Sequence, residues 1–136
     1  MQTLSTQARP VPQSASVRHA SSAAQRPEMH LRPGPQSCAA VYGLVAPRTN
    51  ACKAPGTWQS FDIEFHQPEY TDGRKTAPAW VTVVHNGIKV HDGAKMYQPT
   101  ASALLGDASG PGPILLQGHG DPVQFRNIWL LPLQNR

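Results

Sequence analysis

The chain has 136 residues, of which 14 are proline, 11 are glycine and 15% are charged. This composition favours turns and short strands over long helices, and the length allows at most one domain. Residues 1–27 carry three arginines and no acid, whereas residues 54–136 carry six Lys/Arg against seven Asp/Glu. The net charge of +4 therefore belongs to one end, which excludes a nucleic-acid face on the folded part. No apolar stretch is long enough to span a membrane.

Residues 1–37 are predicted to form an unstructured leader. They combine Ser, Ala, Gln, Pro and Arg with almost no aromatic or β-branched residue, so little apolar surface offsets the ordering entropy. The start, MQTLSTQARPVPQ, lacks the apolar core of a secretory signal. An Arg-rich, Ser-rich, acid-free segment also fits an organellar transit peptide, but a plain disordered leader is the favoured interpretation. The compartment is left undefined.

The segment Trp58–His66 alternates strongly between apolar and polar residues. Phe61, Ile63 and Phe65 fall on one side, and Asp62, Glu64 and His66 on the other. This period of two predicts a half-buried antiparallel strand. The polar side is interpreted as a solvated face, and the alternative is that Asp62 and Glu64 bind a cation or act as acid and base.

The dipeptide Asn86–Gly87 stands between Val81–His85 and Ile88–His91. An Asn-Gly pair between β-branched runs predicts a two-residue hairpin, because both residues tolerate the positive φ of a type I′ turn. His66 and His91 are expected at exposed strand positions.

The remaining predicted elements contain no convincing helix. A short strand is considered over residues 39–43, a polar loop over 67–78, a strand over 79–85, a long loop over 94–113, an apolar run over 114–117, a Gly-His-Gly loop over 118–120 and a last strand over 123–133. About five strands result, and a jelly roll needs about eight. The fold class is therefore predicted as all-β, an antiparallel jelly-roll sandwich lacking its first part.

The two cysteines, Cys38 and Cys52, are predicted to be unpaired thiols. A disulfide between them is possible, but two isolated cysteines define no framework. No partner at a recognisable spacing points to zinc.

Three segments carry a resemblance: GTWQSFDIEF, VTVVHNGIKVHD and PILLQGHGDPVQFRNIWLLPL. In order and spacing they resemble the C-terminal half of the 3-keto-disaccharide hydrolase domain family, over residues 38 to 133. Domain limits of 1–37 and 38–136 follow. The family's upstream strands, with a Gly-Asn-Ser-Gly turn, are not found in residues 1–37, so we expect a truncated or frame-shifted member.

The resemblance implies a concanavalin-like β-sandwich that acts on 3-keto-glycosides, with a carbohydrate as its partner. A ketone at C3 acidifies the C2 proton, so a base can remove it, the anomeric oxygen can leave, and water can add back. The site then needs a base, an acid and a group that stabilises the enolate. A divalent metal ion could fill the last role. Family members are often exported, which implies a periplasmic or extracellular location if an upstream start exists. The oligomeric state is undefined.

Two residues are the candidate catalytic groups. His119 lies between two glycines and would act as a base, a metal ligand or a sugar contact; the alternative is a histidine that fixes its own loop. Arg126 lies in mid-strand, where an unpaired guanidinium is costly to bury. It therefore reaches either an oxyanion or carboxylate in the pocket, or an ion pair on a solvated face.

Three further residues are candidate substrate contacts. Gln117 precedes the histidine loop and could bind a sugar hydroxyl. His85 ends a strand, where its alternative is a cross-strand partner in the hairpin. Asn127 could instead be a satisfied core amide. Trp80 is mostly a core candidate that could stack on a sugar if exposed.

The competing hypotheses for the function are a carbohydrate-binding sandwich without catalysis and an inactive fragment.

Overall fold

The computed structural model describes residues 34–100, 103, 112–117 and 123–133, together with the backbone of 14–22. These residues form seven strands: β1 Ser14–Ser22, β2 Trp58–His66, β3 Glu69–Thr71, β4 Arg74–Ala77, β5 Ala79–His85, β6 Ile88–Met96 and β7 Gln124–Pro132. Within the described parts of the chain there is no helix whose length and hydropathy would let it cross a bilayer. The all-β prediction is confirmed.

Five strands form one antiparallel sheet in the order β6-β5-β2-β1-β7, and β3 and β4 form a separate hairpin. The turn between β5 and β6 is the predicted one, with φ of 51° at Asn86 and 82° at Gly87. The Asn86 side chain also reaches beyond its own hairpin. Its Oδ1 accepts from the backbone N–H of Ser60 at 2.9 Å, and its Nδ2 donates to the Ala51 carbonyl at 2.7 Å. One turn residue therefore joins the hairpin to β2 and to the preceding loop.

The core lies on one face of β2, β5 and β6. Direct pairing of Ile63 with Val83, and of Phe65 with Val81, brings the apolar side of β2 onto the same face as the apolar side of β5. Val81, Val83 and Val90 are buried there, with Phe61 and Ile63 packed against them. The predicted bounds and the predicted facing of Trp58–His66 are confirmed.

The core face is covered by the loop of residues 34–57, which we call the covering loop. Ala39, Val41 and Ala51 pack on the valine cluster, and the backbone N–H of Arg48 donates to the Val90 carbonyl at 2.9 Å. The prediction that His91 is exposed is wrong. It is 2% exposed, and its Nε2–H donates to the Ala39 carbonyl at 2.7 Å.

Cys38 and Cys52 form a disulfide that closes the covering loop on itself. The prediction of two unpaired thiols is therefore wrong. Thirteen residues separate the two cysteines in the sequence, and that spacing alone carries no signal for pairing. The loop must fold back over the sheet before the two Cα atoms come to 6.8 Å, a distance that a disulfide can bridge.

Strand β1 falls within the segment predicted to be unstructured, so that prediction is wrong for Ser14–Ser22. The strand pairs along its whole length with β2, from Ser14 opposite His66 to Ser22 opposite Trp58, and it pairs on its other side with β7. Strand preference depends strongly on context, and a segment poor in β-branched residues forms a strand when both of its neighbours offer backbone partners. The rest of the predicted leader lies outside the described residues.

Smaller differences concern the loops. The predicted polar loop of residues 67–78 contains the β3–β4 hairpin, turning at Asp72 and Gly73 with φ of 50° and 75°. Residues 114–117 have no regular structure, and the short strand considered over 39–43 is reduced to a single bridge between Val41 and Val45.

Candidate functional site

The polar side of β2 lies on the face of the sheet opposite the core. Asp62, Glu64 and His66 are paired with Val84, Thr82 and Trp80 of β5. Directly paired residues of antiparallel strands share a face, so the β5 partners lie beside the β2 side chains. We call this surface the β2 face.

An imidazole and a carboxylate are held together at one end of the β2 face. His66 Nε2 lies 3.1 Å from Glu64 Oε1, a distance at which the ring N–H donates to the carboxylate. The His66 ring stacks on Trp80 with centroids 3.6 Å apart and planes 13° from parallel. The side chains of His66 and Glu64 remain 29% and 45% exposed. The carboxylate fixes the orientation of a ring that solvent and a ligand can still reach, which is what proton transfer requires.

Arg126 lies at the other end of the same face. Both Arg126 and Ser60 pair with Ala20 of β1, one from each side, so all three positions face the same way. The guanidinium carbon lies 3.7 Å from the centre of the Trp58 ring, a cation–π contact, and Arg126 is exposed. Of the two predicted environments, the exposed one is observed, with an aromatic ring as the partner. The N–H groups at the edge of the guanidinium can still donate to an oxygen of a ligand.

A β-bulge in β7 changes the face of the sheet on which the residues after Arg126 lie. The register with β1 shifts between Arg18 and Ala20, and Asn127 has a φ of 52°. Beyond the bulge, Trp129 is paired with Arg18, which is paired with Asp62, so Trp129 falls on the β2 face and is 66% exposed. Bulges often redirect side chains beside binding sites. Asn127 is exposed, so the interpretation of a core amide is wrong.

His85 lies on the core face, away from the other candidates. It is fully buried, and its ring stacks on Phe61 with centroids 4.1 Å apart. Within the part of the chain that the structure describes, neither ring nitrogen has a hydrogen-bond partner. Burial and, secondarily, the positive charge of Lys53 lower the pKa of His85 to about 4. As placed, the ring has no exposed surface with which to contact a sugar.

The structure does not place the remaining candidates, His119 and Gln117, on the β2 face. His119 lies outside the described residues. Gln117 is exposed in a segment without regular structure. His66 and Trp80 were not selected from the sequence as site residues. His66 fits an ordinary exposed strand position, and Trp80 fits a core position. The signal available was the alternation of Trp58–His66, which places Glu64 and His66 on one side.

A divalent metal on the β2 face finds little support in the side chains present. Among the described residues, the group of three or more ligand side chains close enough to hold an ion is Cys38, Cys52 and His85, on the other side of the sheet. Asp62, Glu64 and His66 do not gather their donor atoms in that way. We therefore derive no step through a metal on this face.

The fold and the β2 face define an antiparallel β domain with an exposed indole and solvent-accessible acid–base groups on one side of a sheet. The sequence matches the 3-keto-alpha-glucoside-1,2-lyase-like domain family over residues 5–131, and the chain belongs to that family. This membership makes it a hydrolase-like, carbohydrate-related domain. The predicted resemblance is confirmed, and the match is longer than predicted, because it begins at residue 5 and not at residue 38.

A solved structure supports the same fold. A proposed glycosyl hydrolase from Parabacteroides distasonis ATCC 8503 aligns with a TM-score of 0.74 and 23% sequence identity, over 92% of this chain and 66% of that one. At this identity the likeness shows the fold alone, and it confirms the predicted fold class. This chain spans 66% of the length of that protein. The comparison with curated protein sequences finds no match.

Proposed function

We propose that this domain cleaves 3-keto-α-glucosides by elimination across C1 and C2, followed by addition of water. The observation that carries the proposal is the His66–Glu64 pair, fixed by stacking on Trp80 and open to solvent on the β2 face. Membership of a family described as 3-keto-alpha-glucoside-1,2-lyase-like supports this substrate class.

The proposed reaction requires acid and base groups of the kind found on the β2 face. A base removes the C2 proton, and the electron pair of the C–H bond passes into the enolate of the C3 ketone. The enolate then re-forms the ketone as a C1–C2 double bond develops, the C1–O bond breaks, and the leaving alkoxide takes a proton. Addition of water to the double bond returns a 3-keto sugar. Each proton transfer contributes most when the acid or base is already oriented.

We assign His66, oriented by Glu64, to the proton transfer at C2. We assign Arg126 to stabilisation of the developing enolate oxygen. Its positive charge and its N–H groups suit a developing negative charge, and they face solvent on the β2 face. Trp129 is exposed and offers an apolar surface on which a sugar ring can stack, whereas Trp80 supports the His66 ring. Gln117 and Asn127, both exposed, are proposed sugar contacts. His119 keeps its proposed role as a base, a metal ligand or a sugar contact.

The decisive test compares two substrates that differ only at C3. The full chain is incubated with a 3-keto-α-glucoside and, separately, with the parent glucoside that carries a hydroxyl at C3. We expect release of the alcohol from the first substrate only, since the hydroxyl compound has no acidic C2 proton. A substrate deuterated at C2 should react more slowly. Equal cleavage of both substrates would point to an ordinary glycosidase.

A second candidate function, carbohydrate binding without catalysis, is favoured by the 66% exposure of Trp129. A bare indole on a sheet face suits sugar stacking whether or not a reaction follows. Under this alternative, the keto sugar binds with a measurable affinity and is recovered unchanged. Titration calorimetry and product analysis on the same sample separate the two functions.

A further inference from the structure

Three ligand side chains converge on the core side of the sheet, on the opposite face from the groups used above. Cys38 and Cys52 come from the covering loop, and His85 ends β5. Their sulfur and ring nitrogen atoms all lie within 4.8 Å of one another. Cys38 and His85 are buried, at 8% and 0% exposure, and Cys52 is half-buried.

His85 is the unexplained member of this cluster. Both of its ring nitrogens are buried without a hydrogen-bond partner among the described residues, although buried polar groups are nearly always satisfied. Leaving such an atom unsatisfied costs its full desolvation energy. Stacking on Phe61 at 4.1 Å holds the ring in one plane beside the two sulfur atoms. A metal ion bound through a ring nitrogen would satisfy an atom that the protein leaves without a partner.

We propose that reduction of the Cys38–Cys52 disulfide converts this cluster into a zinc site with two thiolate ligands and the His85 imidazole. Zinc prefers tetrahedral sets of sulfur and nitrogen, and such a set places the donor atoms roughly 3.5–3.8 Å apart. The donor atoms already lie within 4.8 Å, so the change requires rotation of cysteine side chains and no refolding of the sheet. These three ligands leave one position of the ion to another donor.

The two states interconvert by a balanced exchange. A dithiol reductant gives two electrons and two protons to the disulfide and becomes a disulfide itself. Zinc then displaces the two thiol protons as it binds. In the reverse direction, a small-molecule disulfide accepts two electrons from the thiolates and takes up two protons to give two thiols. The protein disulfide re-forms, and the zinc ion is released.

The test uses the full chain and zinc chloride alone. Disulfide-bonded and phosphine-reduced samples are loaded under nitrogen, freed of excess metal and assayed for zinc content, and a chromogenic chelator then measures affinity. We expect about one zinc per chain in the reduced protein and none in the oxidised protein. Outer-shell substitutions already weaken metal sites by about 10–100-fold, so loss of a ligand in His85→Phe should weaken binding by at least that much.

The matched control is His66→Gln, which removes an imidazole from the opposite face and should leave zinc binding unchanged. His85→Phe keeps an aromatic ring on Phe61, and a cooperative melt of its oxidised form checks that it folds. If it does not fold, nitrogen NMR of the reduced wild-type chain reports directly whether zinc shifts the His85 ring nitrogens. Equal zinc binding by the oxidised chain or by folded His85→Phe, or unshifted His85 resonances, would overturn the proposal.

Discussion

His66 gains its candidate role from two neighbours, because neither its position nor its residue type is unusual. Glu64 lies two residues away on the same strand and accepts from the ring, while Trp80 on the next strand supports its plane. Fixing the ring in this way lowers the cost of orienting it when a substrate arrives.

Replacing His66 with glutamine should therefore impair turnover without unfolding the protein. We expect kcat/KM for a 3-keto-α-glucoside to fall by about 10²–10⁴, the usual contribution of a positioned acid or base. Thermal melting of the variant should stay close to that of the wild type. Asp92→Asn is the control, since this exposed carboxylate on β6 pairs with Lys89 and Arg48. Unchanged rates in His66→Gln would assign His66 a structural role.

The buried His85 should make stability depend on pH in the disulfide-bonded, metal-free protein. Its pKa is about 4 when folded and about 6.5 when unfolded, so between these values only the unfolded chain takes up the proton. The stability is fully present above pH 6.5 and falls as the pH drops towards 4, by up to about 3 kcal/mol.

Urea unfolding of wild type and His85→Phe at pH 7 and pH 4.5 measures this effect. The carboxylates titrate in both proteins, so the difference between them isolates the histidine. We expect the wild type to lose about 2–3 kcal/mol more than the variant over this interval. Parallel losses would show that the folded ring protonates freely.

At the scale of elements, the β5–β6 hairpin is specified by its turn. Gly87 has a φ of 82°, in the left-handed region, and open space surrounds the position of a Cβ. Gly87→Ala should therefore destabilise the protein through backbone strain alone, by about 1–2 kcal/mol in urea unfolding. Gly34→Ala is the matched control, because a Cβ at that position also meets open space while its φ lies outside the left-handed region. Equal effects of the two substitutions would contradict the strained-turn account.

The bulge in β7 is a second feature at the scale of elements. It determines on which face of the sheet the side chains after Arg126 lie. One extra residue around Asn127 shifts the register with β1, so that Trp129 shares a face with Asp62. A regular strand would alternate from Arg126 through Ile128 and leave Trp129 on the opposite face. The β2 face thus acquires its exposed indole from an irregularity.

For the molecule as a whole, the core depends on a loop fastened by one disulfide. The covering loop supplies Ala39, Val41 and Ala51 to the valine cluster and has little regular structure of its own. Closing a loop of this length restricts the unfolded chain and stabilises the fold by roughly 3 kcal/mol.

A Cys38→Ala/Cys52→Ala double variant should therefore lose about 3 kcal/mol of unfolding free energy. The reduced wild type, measured with a metal chelator present, should show a similar loss and serves as the control for the alanine side chains. Equal stability of the oxidised wild type and the double variant would mean that the loop is held by packing alone.

Much of the fold could be predicted where the signal is local. The alternation over Trp58–His66 and the Asn86–Gly87 turn each act within a few residues, and the structure confirms both. Strand β1 could not be predicted, since its sequence carries little strand preference and its partners β2 and β7 lie dozens of residues away. Only part of the candidate site was predicted: Arg126 was among the predicted residues and lies on the β2 face, whereas His66 was not selected.

The sequence by itself determined the all-β class, the faces of β2 and the central hairpin, because period and turn chemistry are properties of neighbouring residues. Only the tertiary structure decided that Cys38 meets Cys52 beside His85, and that Arg126 meets Trp58 across β1. Those contacts join residues distant along the chain, and their geometry depends on sheet order and register. Neither sheet order nor register can be inferred from the spacing of these residues in the sequence.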